Sequence, residues 1–309
     1  MNVLVTGGAG FIGSHVAELC LSRGQSVAVI DNLRTGKVDN IPEGARFIEG
    51  DIRDLDTVKR TFAEVAPDWV FHEAAQAALR PSVIDPWEDL SINLLGSLNL
   101  IRTAVDRGIG KFVYASSGGA SYGPFAPVPT SEDFPVQPNS PYGITKHSVE
   151  HYLDFYQRNF GLSWVALRYA NVYGPRQDSE GEAGVVAIFS RSVLSGTQPT
   201  VYGDGTQRRD YVFVKDVALA NLLAAESDFS GIVNVSTGIE TTVLEVLAAI
   251  QAAAGTTIEP LFGEERVGDI PRCALNSDLA ADRIGWRATV PFREGIAQTV
   301  AWTKEHYGL

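Results

Sequence analysis

Short apolar runs alternate with amphipathic segments along the first half of the chain. The apolar runs are rich in β-branched and aromatic residues and predict strands over residues 2–6, 26–30, 47–51, 69–72 and 111–115. The segments between them carry apolar residues three or four positions apart, which predicts helices over 12–24, 54–66 and about 87–106. Strands that alternate with helices favour a parallel sheet, so we predict an α/β fold.

The second half of the chain has a weaker periodicity. It predicts helices over 185–194, 216–226, 242–254, 278–284 and 292–306, and strands over 211–214, 232–235 and 258–261. A long predicted helix that opens near residue 141 links the two halves. Ser140 suits its N-cap, Pro141 suits the first helical position, and Gly161 ends it.

Two residues of this long helix indicate acid/base chemistry. Tyr142 and Lys146 are four positions apart and therefore lie on one face of the helix. An ammonium beside a phenol favours the phenolate, so we expect a lowered pKa for Tyr142 and a base that works near neutral pH. The alternative to a catalytic pair is that the two residues simply belong to one amphipathic turn of the helix. The same spacing recurs at Tyr211 and Lys215, where a strand would hold the two residues about 13 Å apart.

A glycine-rich turn follows the first predicted strand. Gly7, Gly10 and Gly13 lie between that strand and a helix, an arrangement whose backbone N–H groups bind a pyrophosphate. Asp31 ends the second strand, 18 residues after Gly13, where its carboxylate can accept hydrogen bonds from an adenosine ribose. Its negative charge should repel a 2′-phosphate. We therefore predict a Rossmann-type doubly wound sheet that binds NAD in preference to NADP.

Other candidate residues follow later strands, at the carboxyl ends where such sheets bind ligands. Asp51 ends the third strand near the expected adenine, and the small residue Ala74 would let a cofactor approach the backbone after the fourth. Ser117 follows the fifth strand and is either a turn residue or a hydroxyl that bridges a substrate oxygen and Tyr142. Nothing near His72 would orient it for catalysis, so we interpret it as structural.

Composition narrows the classes of partner. The 309 residues are 45% hydrophobic and 20% charged, which is ordinary for a globular protein. A net charge of −12 argues against nucleic acid or an anionic membrane as a partner. We see no apolar run of bilayer length and no secretory signal, and Cys20 and Cys273 form neither a metal-binding pattern nor a disulfide framework. We expect a cytoplasmic protein without a metal site.

Taken together, the motifs resemble the extended short-chain dehydrogenase/reductase family. The segments that carry the resemblance are Thr-Gly-Gly-Ala-Gly-Phe-Ile-Gly at 6–13, Ser117, Tyr142-x-x-x-Lys146, Arg-Tyr-Ala-Asn-Val-Tyr-Gly-Pro-Arg at 168–176 and Arg-Asp-Tyr at 209–211. They are most similar to the nucleotide-sugar branch that epimerises UDP-hexoses at C4. The resemblance implies an NAD-binding domain over 1–173, joined by about 208–235, and a smaller interleaved substrate lobe over 174–309.

The resemblance also implies roles for individual residues. Lys146 would hold the nicotinamide ribose, Tyr142 would be the acid/base, and Ser117 would bond the reacting hydroxyl of the sugar. The further residues expected at the cofactor are Gly7, Gly10, Phe11, Ile12, Gly13, Asp31, Asn32, Asp51, Ile52, Ala74, Ala75, Gln76, Asn93, Ser116 and Tyr169. Those expected at the substrate, besides Ser117 and Tyr142, are Asn171, Arg209, Arg266 and Cys273. The arginines would bind its phosphates, and the small Cys273 suggests room for an N-acetyl group. The alternatives are surface or interface ion pairs for the arginines and an ordinary buried cysteine at 273.

The resulting hypothesis is an NAD-dependent isomerase that acts on UDP-glucose and UDP-galactose, with the N-acetylated pair as further candidates. Tyr142 would take the C4 hydroxyl proton while C4 gives hydride to NAD, and return of hydride to the other face of the 4-keto sugar would invert C4. The resemblance also implies a homodimer formed through two helices that include the Tyr142 helix.

The alternatives are an epimerase of another nucleotide sugar such as a UDP-uronic acid, a nucleotide-sugar dehydratase or decarboxylase, and a non-catalytic NAD-sensing protein. Residues 118–123 contain no acid, which argues against the dehydratase and the decarboxylase. The presence of both Tyr142 and Lys146 argues against the NAD-sensing protein.

Overall fold

The computed structural model describes residues 1–180, 184–265 and 270–309. Its strands are β1 (Asn2–Thr6), β2 (Ser26–Asp31), β3 (Arg46–Glu49), β4 (Trp69–His72), β5 (Lys111–Ser117), β6 (Trp164–Tyr169), β7 (Asn171–Tyr173), β8 (Thr200–Tyr202), β9 (Arg208–Phe213), β10 (Gly231–Val235), β11 (Glu240–Thr242), β12 (Leu261–Gly263) and β13 (Arg272–Cys273).

The α-helices are α1 (Phe11–Ser22), α2 (Leu55–Val65), α3 (Leu79–Ile84), α4 (Pro86–Leu90), α5 (Ser97–Arg107), α6 (Gly118–Ser121), α7 (Pro141–Phe160), α8 (Val185–Leu194), α9 (Val214–Glu226), α10 (Val243–Ala254), α11 (Asp278–Ile284) and α12 (Phe292–Tyr307). A π-helical turn, Ser91–Gly96, joins α4 to α5, and Val38–Asn40 forms a short 3-10 turn. No helix in the described ranges is long and apolar enough to span a bilayer.

Seven strands form one parallel sheet in the order β10-β6-β5-β4-β1-β2-β3. This confirms the predicted doubly wound fold. The strand order reverses between β1 and β4, and in such sheets the crevice at this point, at the carboxyl ends of the strands, receives the ligand. The register places Thr6 of β1 beside Ile30 on one side and His72 on the other, so the ends of these three strands meet at one edge.

Each face of the sheet is covered by an apolar layer. On one face α1, α9 and α11 contribute residues such as Val16, Val217 and Ile284. On the other face α2, α5 and α7 bury residues such as Phe62 and Leu153. With both faces buried, the central strands need apolar residues at every position rather than at alternate ones, which explains the continuous apolar runs in the sequence.

The smaller lobe has a core of its own. It is built from β7, β9, α8, α10 and α12, and its largest buried side chains include Tyr173 and Phe213. A small sheet pairs β9 with β7, β11 and β13, and β8 pairs with β12. Between these elements the chain returns to the main sheet, where α9 covers one face and β10 forms an edge.

Some expected elements differ in the structure. The helix expected over 87–106 is interrupted by the π-helical turn, and the unpredicted helix α3 precedes it. The strand expected over 258–261 is wrong: β12 covers 261–263, because Pro260 has no N–H to donate to a ladder. β9 ends at Phe213, one residue earlier than expected. The strands β7, β8, β11 and β13 are too short to show a period in the sequence.

Candidate active site

The glycine turn packs directly against the end of β4. Gly7 has φ +68°, and a Cβ on it would lie 2.6 Å from the backbone nitrogen of Ala74. A Cβ on Gly13 would lie 2.4 Å from the carbonyl oxygen of Gly7, so α1 also needs glycine to approach the turn. No side chain caps α1 at Gly10, which leaves the first-turn N–H groups, including those of Phe11 and Ile12, to a ligand. The turn therefore suits a pyrophosphate.

The ends of β2 and β3 carry acidic side chains. The Asp31 carboxylate accepts hydrogen bonds from the backbone N–H of Ala9 (3.1 Å) and of Leu33 (2.8 Å), which ties it to the glycine turn. Asn32 donates to Asp51 at 3.0 Å. Hydrogen bonds from the Arg53 side chain are the main cause that lowers the pKa of Asp51 to about 2.

The side chain of Ile52, by contrast, is buried, and a Cβ on Gly96 would lie 2.7 Å from it. Asp31, Asn32, Asp51 and Ile52 thus occupy the sheet edge on the β2 side of the glycine turn. This is the part of the crevice expected to hold the adenosine.

The segment after β4 is held by a buried asparagine. Asn93, in the π-helical turn, accepts from the N–H of Gln76 and donates to its carbonyl oxygen, both at 2.9 Å. Asn93 is 1% exposed, so its side chain positions the Ala74–Gln76 segment, and direct contact with a cofactor stays a prediction. His72 at the end of β4 is buried between the hydroxyls of Thr6 and Ser97, which agrees with a structural role.

The two neighbouring serines at the end of β5 have different surroundings. Ser116 is buried and donates to the carboxylate of Glu150 at 2.6 Å. Ser117 is partly exposed and shares a hydrogen bond with the Tyr142 side chain. The hydroxyl of Ser117, and not that of Ser116, therefore faces the phenol at the crevice.

Helix α7 carries Tyr142 and Lys146 on one face, as predicted. The Lys146 Nζ lies 5.9 Å from the centre of the Tyr142 ring and donates to the carbonyl oxygen of Ala115 at 2.8 Å. It also lies 4.9 Å from the centre of the Tyr114 ring. Lys146 is only 3% exposed, so its ammonium is fixed beside the end of β5.

The expectation of a lowered pKa for Tyr142 is wrong for the protein as it stands. Burial raises the pKa of Tyr142 to about 12, and the hydrogen bond with Ser117 opposes that rise only in part. Burial also lowers the pKa of Lys146 to about 8, against the attraction of carboxylates that include Glu73 and Asp89. The loss of hydration around the phenolate outweighs the attraction of one ammonium. At neutral pH the pair is therefore a neutral phenol beside a mostly charged ammonium.

A buried ion pair fixes α7 to the main sheet. Arg168 on β6 donates to Glu150 through Nε (2.9 Å) and Nη2 (2.7 Å), and both residues are 2% exposed. Burial alone would raise the pKa of Glu150, but hydrogen bonds from Arg168, His147 and Ser116 bring it down to about 2. This network joins α7 to β5 and β6 one helical turn after Lys146, on the same face of the helix.

The residues expected at the substrate come from distant parts of the chain. Asn171 opens β7, Arg209 lies on β9 and Cys273 ends β13, and these strands are neighbours in the small sheet. Cys273 is paired in register with Arg209, and both are partly exposed. Asn171 is exposed. The expected role of Arg266 lies outside the described residues.

Two carboxylates near Tyr142 and Lys146 are not among the site residues that the sequence predicts. Glu73 follows β4 and accepts a hydrogen bond from the hydroxyl of Tyr169 at 2.9 Å, and burial raises its pKa to about 7. Its place just before Ala74, at a strand end, was a usable signal. Asp89 on α4 is fully buried, and nothing in its local sequence indicates that it faces the catalytic helix.

The chain is similar to known proteins in both sequence and structure. The profile of the NAD dependent epimerase/dehydratase family matches residues 3–236. The UDP-glucose 4-epimerase of Thermotoga maritima, solved with UDP-glucose, is 44% identical, with a TM-score of 0.97 over 99% of this chain and 100% of that chain. The UDP-glucose 4-epimerase of Thermus thermophilus, solved with NAD, is 49% identical, with a TM-score of 0.92 over 98% of this chain and 99% of that chain.

A third structure broadens the range of sugars among the relatives. The UDP-N-acetylglucosamine 4-epimerase of Methanobrevibacter ruminantium, in complex with UDP-N-acetylmuramic acid, is 36% identical. Its TM-score is 0.94 over 99% of this chain and 98% of that chain. These matches confirm the family and the fold that the sequence motifs predict.

Proposed function

The chain belongs to the NAD-dependent epimerase/dehydratase family, and we propose that it interconverts UDP-hexoses that differ at C4, through a transient 4-keto sugar. It is an isomerase that uses NAD and a nucleotide-sugar substrate. The observation that carries the proposal is the convergence of Ser117, Tyr142 and Lys146 at the end of β5, in the same crevice as the glycine turn.

The crevice fits NAD. A turn that only glycine tolerates at Gly7 and Gly13, together with the uncapped start of α1, would hold the pyrophosphate. Asp31 would bind the adenosine ribose, and Lys146 the nicotinamide ribose. When bound, NAD supplies the acceptor of the C4 hydride and then returns that hydride.

Side chains of this protein would bind the C4 hydroxyl and transfer its proton. Ser117 and Tyr142 would both bond the C4 hydroxyl, and Tyr142 would exchange its proton. A phenol whose pKa burial raises to about 12 is a weak acid, so ionising it in the site requires positive charge nearby. The Lys146 ammonium, 5.9 Å from the centre of the Tyr142 ring, would supply part of that charge, and the oxidised cofactor would add to it.

The small sheet would hold the UDP end of the substrate. Asn171 and Arg209 lie on the neighbouring strands β7 and β9, and a guanidinium can bind a phosphate through two hydrogen bonds. We propose Arg266 as a second phosphate ligand from the family resemblance of the sequence alone. Cys273, in register with Arg209, would leave room for an N-acetyl group on the sugar.

The first test is turnover. The purified protein is incubated with UDP-galactose or with UDP-N-acetylgalactosamine and a catalytic amount of NAD, and the products are identified by NMR. The C4 epimer is expected from at least one sugar without any added reductant, because an epimerase recycles its cofactor. If neither sugar gives a product, UDP-uronic acids are tested next, and failure with all of them would favour the non-catalytic NAD-sensing protein.

A variant in the same assay tests the proposed sugar pocket. Cys273→Tyr is expected to reduce turnover of the N-acetylated sugar at least tenfold more than turnover of UDP-galactose, because the larger side chain fills the space proposed for the acetyl group. Cys273→Ser is the matched control and should leave the ratio of the two rates unchanged. Equal losses with both sugars would remove Cys273 from the specificity pocket.

We also propose a homodimer. Helix α7 leaves Tyr152 (40% exposed), Phe155 (45%) and Phe160 (59%) on its outer side, more aromatic surface than a solvent-facing helix needs. Sedimentation equilibrium of the wild type and of Phe155→Glu would measure this: a monomeric variant beside a dimeric wild type is expected, and a monomeric wild type would contradict it. The cytoplasm remains the proposed location.

A further inference from the structure

Asp89 is a buried carboxylate that joins three parts of the active site. It lies on α4, is 0% exposed, and accepts hydrogen bonds from Thr145 (2.7 Å), Gln76 (3.1 Å) and Asn93 (2.9 Å). Thr145 belongs to α7, Gln76 to the segment after β4, and Asn93 to the π-helical turn. One carboxylate thus links the catalytic helix to the segment expected at the cofactor.

The hydrogen-bond partners of Asp89 differ from those of Glu150, another buried carboxylate beside Lys146. Glu150 receives two hydrogen bonds from the guanidinium of Arg168, whereas the three side chains that donate to Asp89 are neutral. Burial raises the pKa of Asp89, and these three donors act in the opposite direction. The negative charge of Asp89 is therefore not neutralised by its hydrogen-bond partners and acts on the titratable groups around it.

Those groups can be named element by element. Helix α7 presents Tyr142, three residues before Thr145, and Lys146, directly after Thr145, and it also carries Glu150, whose charge acts on Lys146. Strand β5 presents Tyr114, and the end of β4 presents Glu73. Helix α3, which packs on α4, carries the exposed Arg80.

We propose that Asp89 is a positioning residue that holds α7 through Thr145 and sets, by its charge, the pH range in which Tyr142 and Lys146 work. This inference rests on the proposed function, since it assigns Tyr142 and Lys146 the acid/base chemistry. Its electrostatic part applies to the protein whether or not it turns over a sugar.

The direction of the effect follows from the sign of the charge. A carboxylate stabilises a nearby ammonium and destabilises a nearby phenolate, so it raises the pKa of both groups. Removing it should lower both. Lys146, whose pKa burial already brings down to about 8, would then lose its proton at a lower pH, and Tyr142 would ionise more readily.

Asp89→Asn removes the charge while keeping the hydrogen bonds. The amide oxygen can still accept from Gln76 and Asn93, which both donate to the same oxygen of Asp89. The amide nitrogen can donate to the hydroxyl of Thr145, because that hydroxyl has a second acceptor in the carbonyl oxygen of Tyr142 at 3.0 Å. The matched control is Asp85→Asn, since Asp85 is the exposed N-cap of the same helix and asparagine caps equally well.

The direct measurement is the titration of Lys146 by NMR of the lysine ε-carbons, in the full-length protein, with Lys146→Arg to identify the signal. In Asp89→Asn the midpoint is expected to fall by on the order of one pH unit, and in Asp85→Asn it should not move. An unchanged midpoint in folded Asp89→Asn would overturn the proposal. If that variant fails to fold, Asp89→Ser removes the same charge, and the same comparison decides.

Turnover provides the second measurement. The alkaline fall of kcat against pH should move to lower pH in Asp89→Asn, with little change in the KM for the nucleotide sugar. A uniform loss of kcat with an unmoved profile would show a structural role alone and would overturn the proposal. If the wild type turns over no nucleotide sugar, the proposed function fails, while the Lys146 titration still decides whether Asp89 controls that charge.

Discussion

The spacing Tyr-x-x-x-Lys occurs twice in this chain, and the two copies lie in different secondary structure. Tyr142 and Lys146 lie on the same face of α7, with the ammonium 5.9 Å from the ring centre at the crevice. Tyr211 lies on β9, 5% exposed, in the core of the smaller lobe against Tyr173. Lys215, on α9, is exposed and donates to Gln298. This spacing therefore brings a tyrosine and a lysine side chain together only where one regular helix carries both residues.

The starts of the two helices explain the difference. Helix α7 begins before its tyrosine, with Pro141 at the first position and Ser140 as a side-chain cap. Helix α9 begins at Val214, between Tyr211 and Lys215, and no side chain caps it at Phe213. The second tyrosine and lysine thus belong to different elements, and their side chains leave the backbone in unrelated directions.

Replacing the two tyrosines tests the comparison most strongly. Tyr142→Phe is expected to reduce turnover about 10³-fold, because it removes the group that we propose exchanges the C4 proton, while NAD binding remains. The same change at Tyr211 should leave turnover within a few-fold of the wild type. Both are measured as kcat by coupled assay, with NAD affinity from fluorescence titration. Substantial activity in Tyr142→Phe would contradict the assignment of Tyr142 as the acid/base.

Replacing the two lysines should have a smaller effect. Lys146→Met is expected to reduce kcat about 10²-fold, since in the proposed mechanism the phenolate would lose a nearby positive charge and the nicotinamide ribose would lose a donor. Lys215→Met removes only an exposed contact and should change kcat by less than twofold. The assay is the same. Equal effects of the two substitutions would contradict the difference between the two regions.

The smallest expected effect concerns the cap that opens α7. The Ser140 hydroxyl accepts from the N–H of Gly143 at 3.1 Å, and Ser140→Ala should lower the free energy of unfolding by about 1 kcal/mol. Ser140→Thr, which keeps a capping oxygen, should retain most of that stability. Urea unfolding followed by circular dichroism measures both. A stability of Ser140→Ala equal to that of the wild type would show that the cap does not help to define the start of α7.

Much of the site could be predicted because its signals are local. The bounds of α7 follow from Ser140, Pro141 and Gly161, and the structure reproduces them. The helix α8 over 185–194 and the first five strands of the main sheet were likewise located to within a few residues. The short strands of the smaller lobe were not, because two or three residues carry no measurable period.

What the sequence alone determined is the parallel sheet, the glycine turn and the position of Tyr142 and Lys146 on one helical face. The glycine turn and the helical pair each depend on residues within about twenty positions of one another, and the sheet follows from the period of each strand and helix, so backbone geometry and side-chain period decide the outcome. Only the tertiary structure decided the charge state of the site. Burial raises the pKa of Tyr142 and lowers that of Lys146, and two of the carboxylates that oppose this for Lys146, Glu73 and Asp89, lie more than fifty positions away along the chain. Desolvation and Coulomb interactions depend on distance in space, so no local pattern in the sequence encodes them.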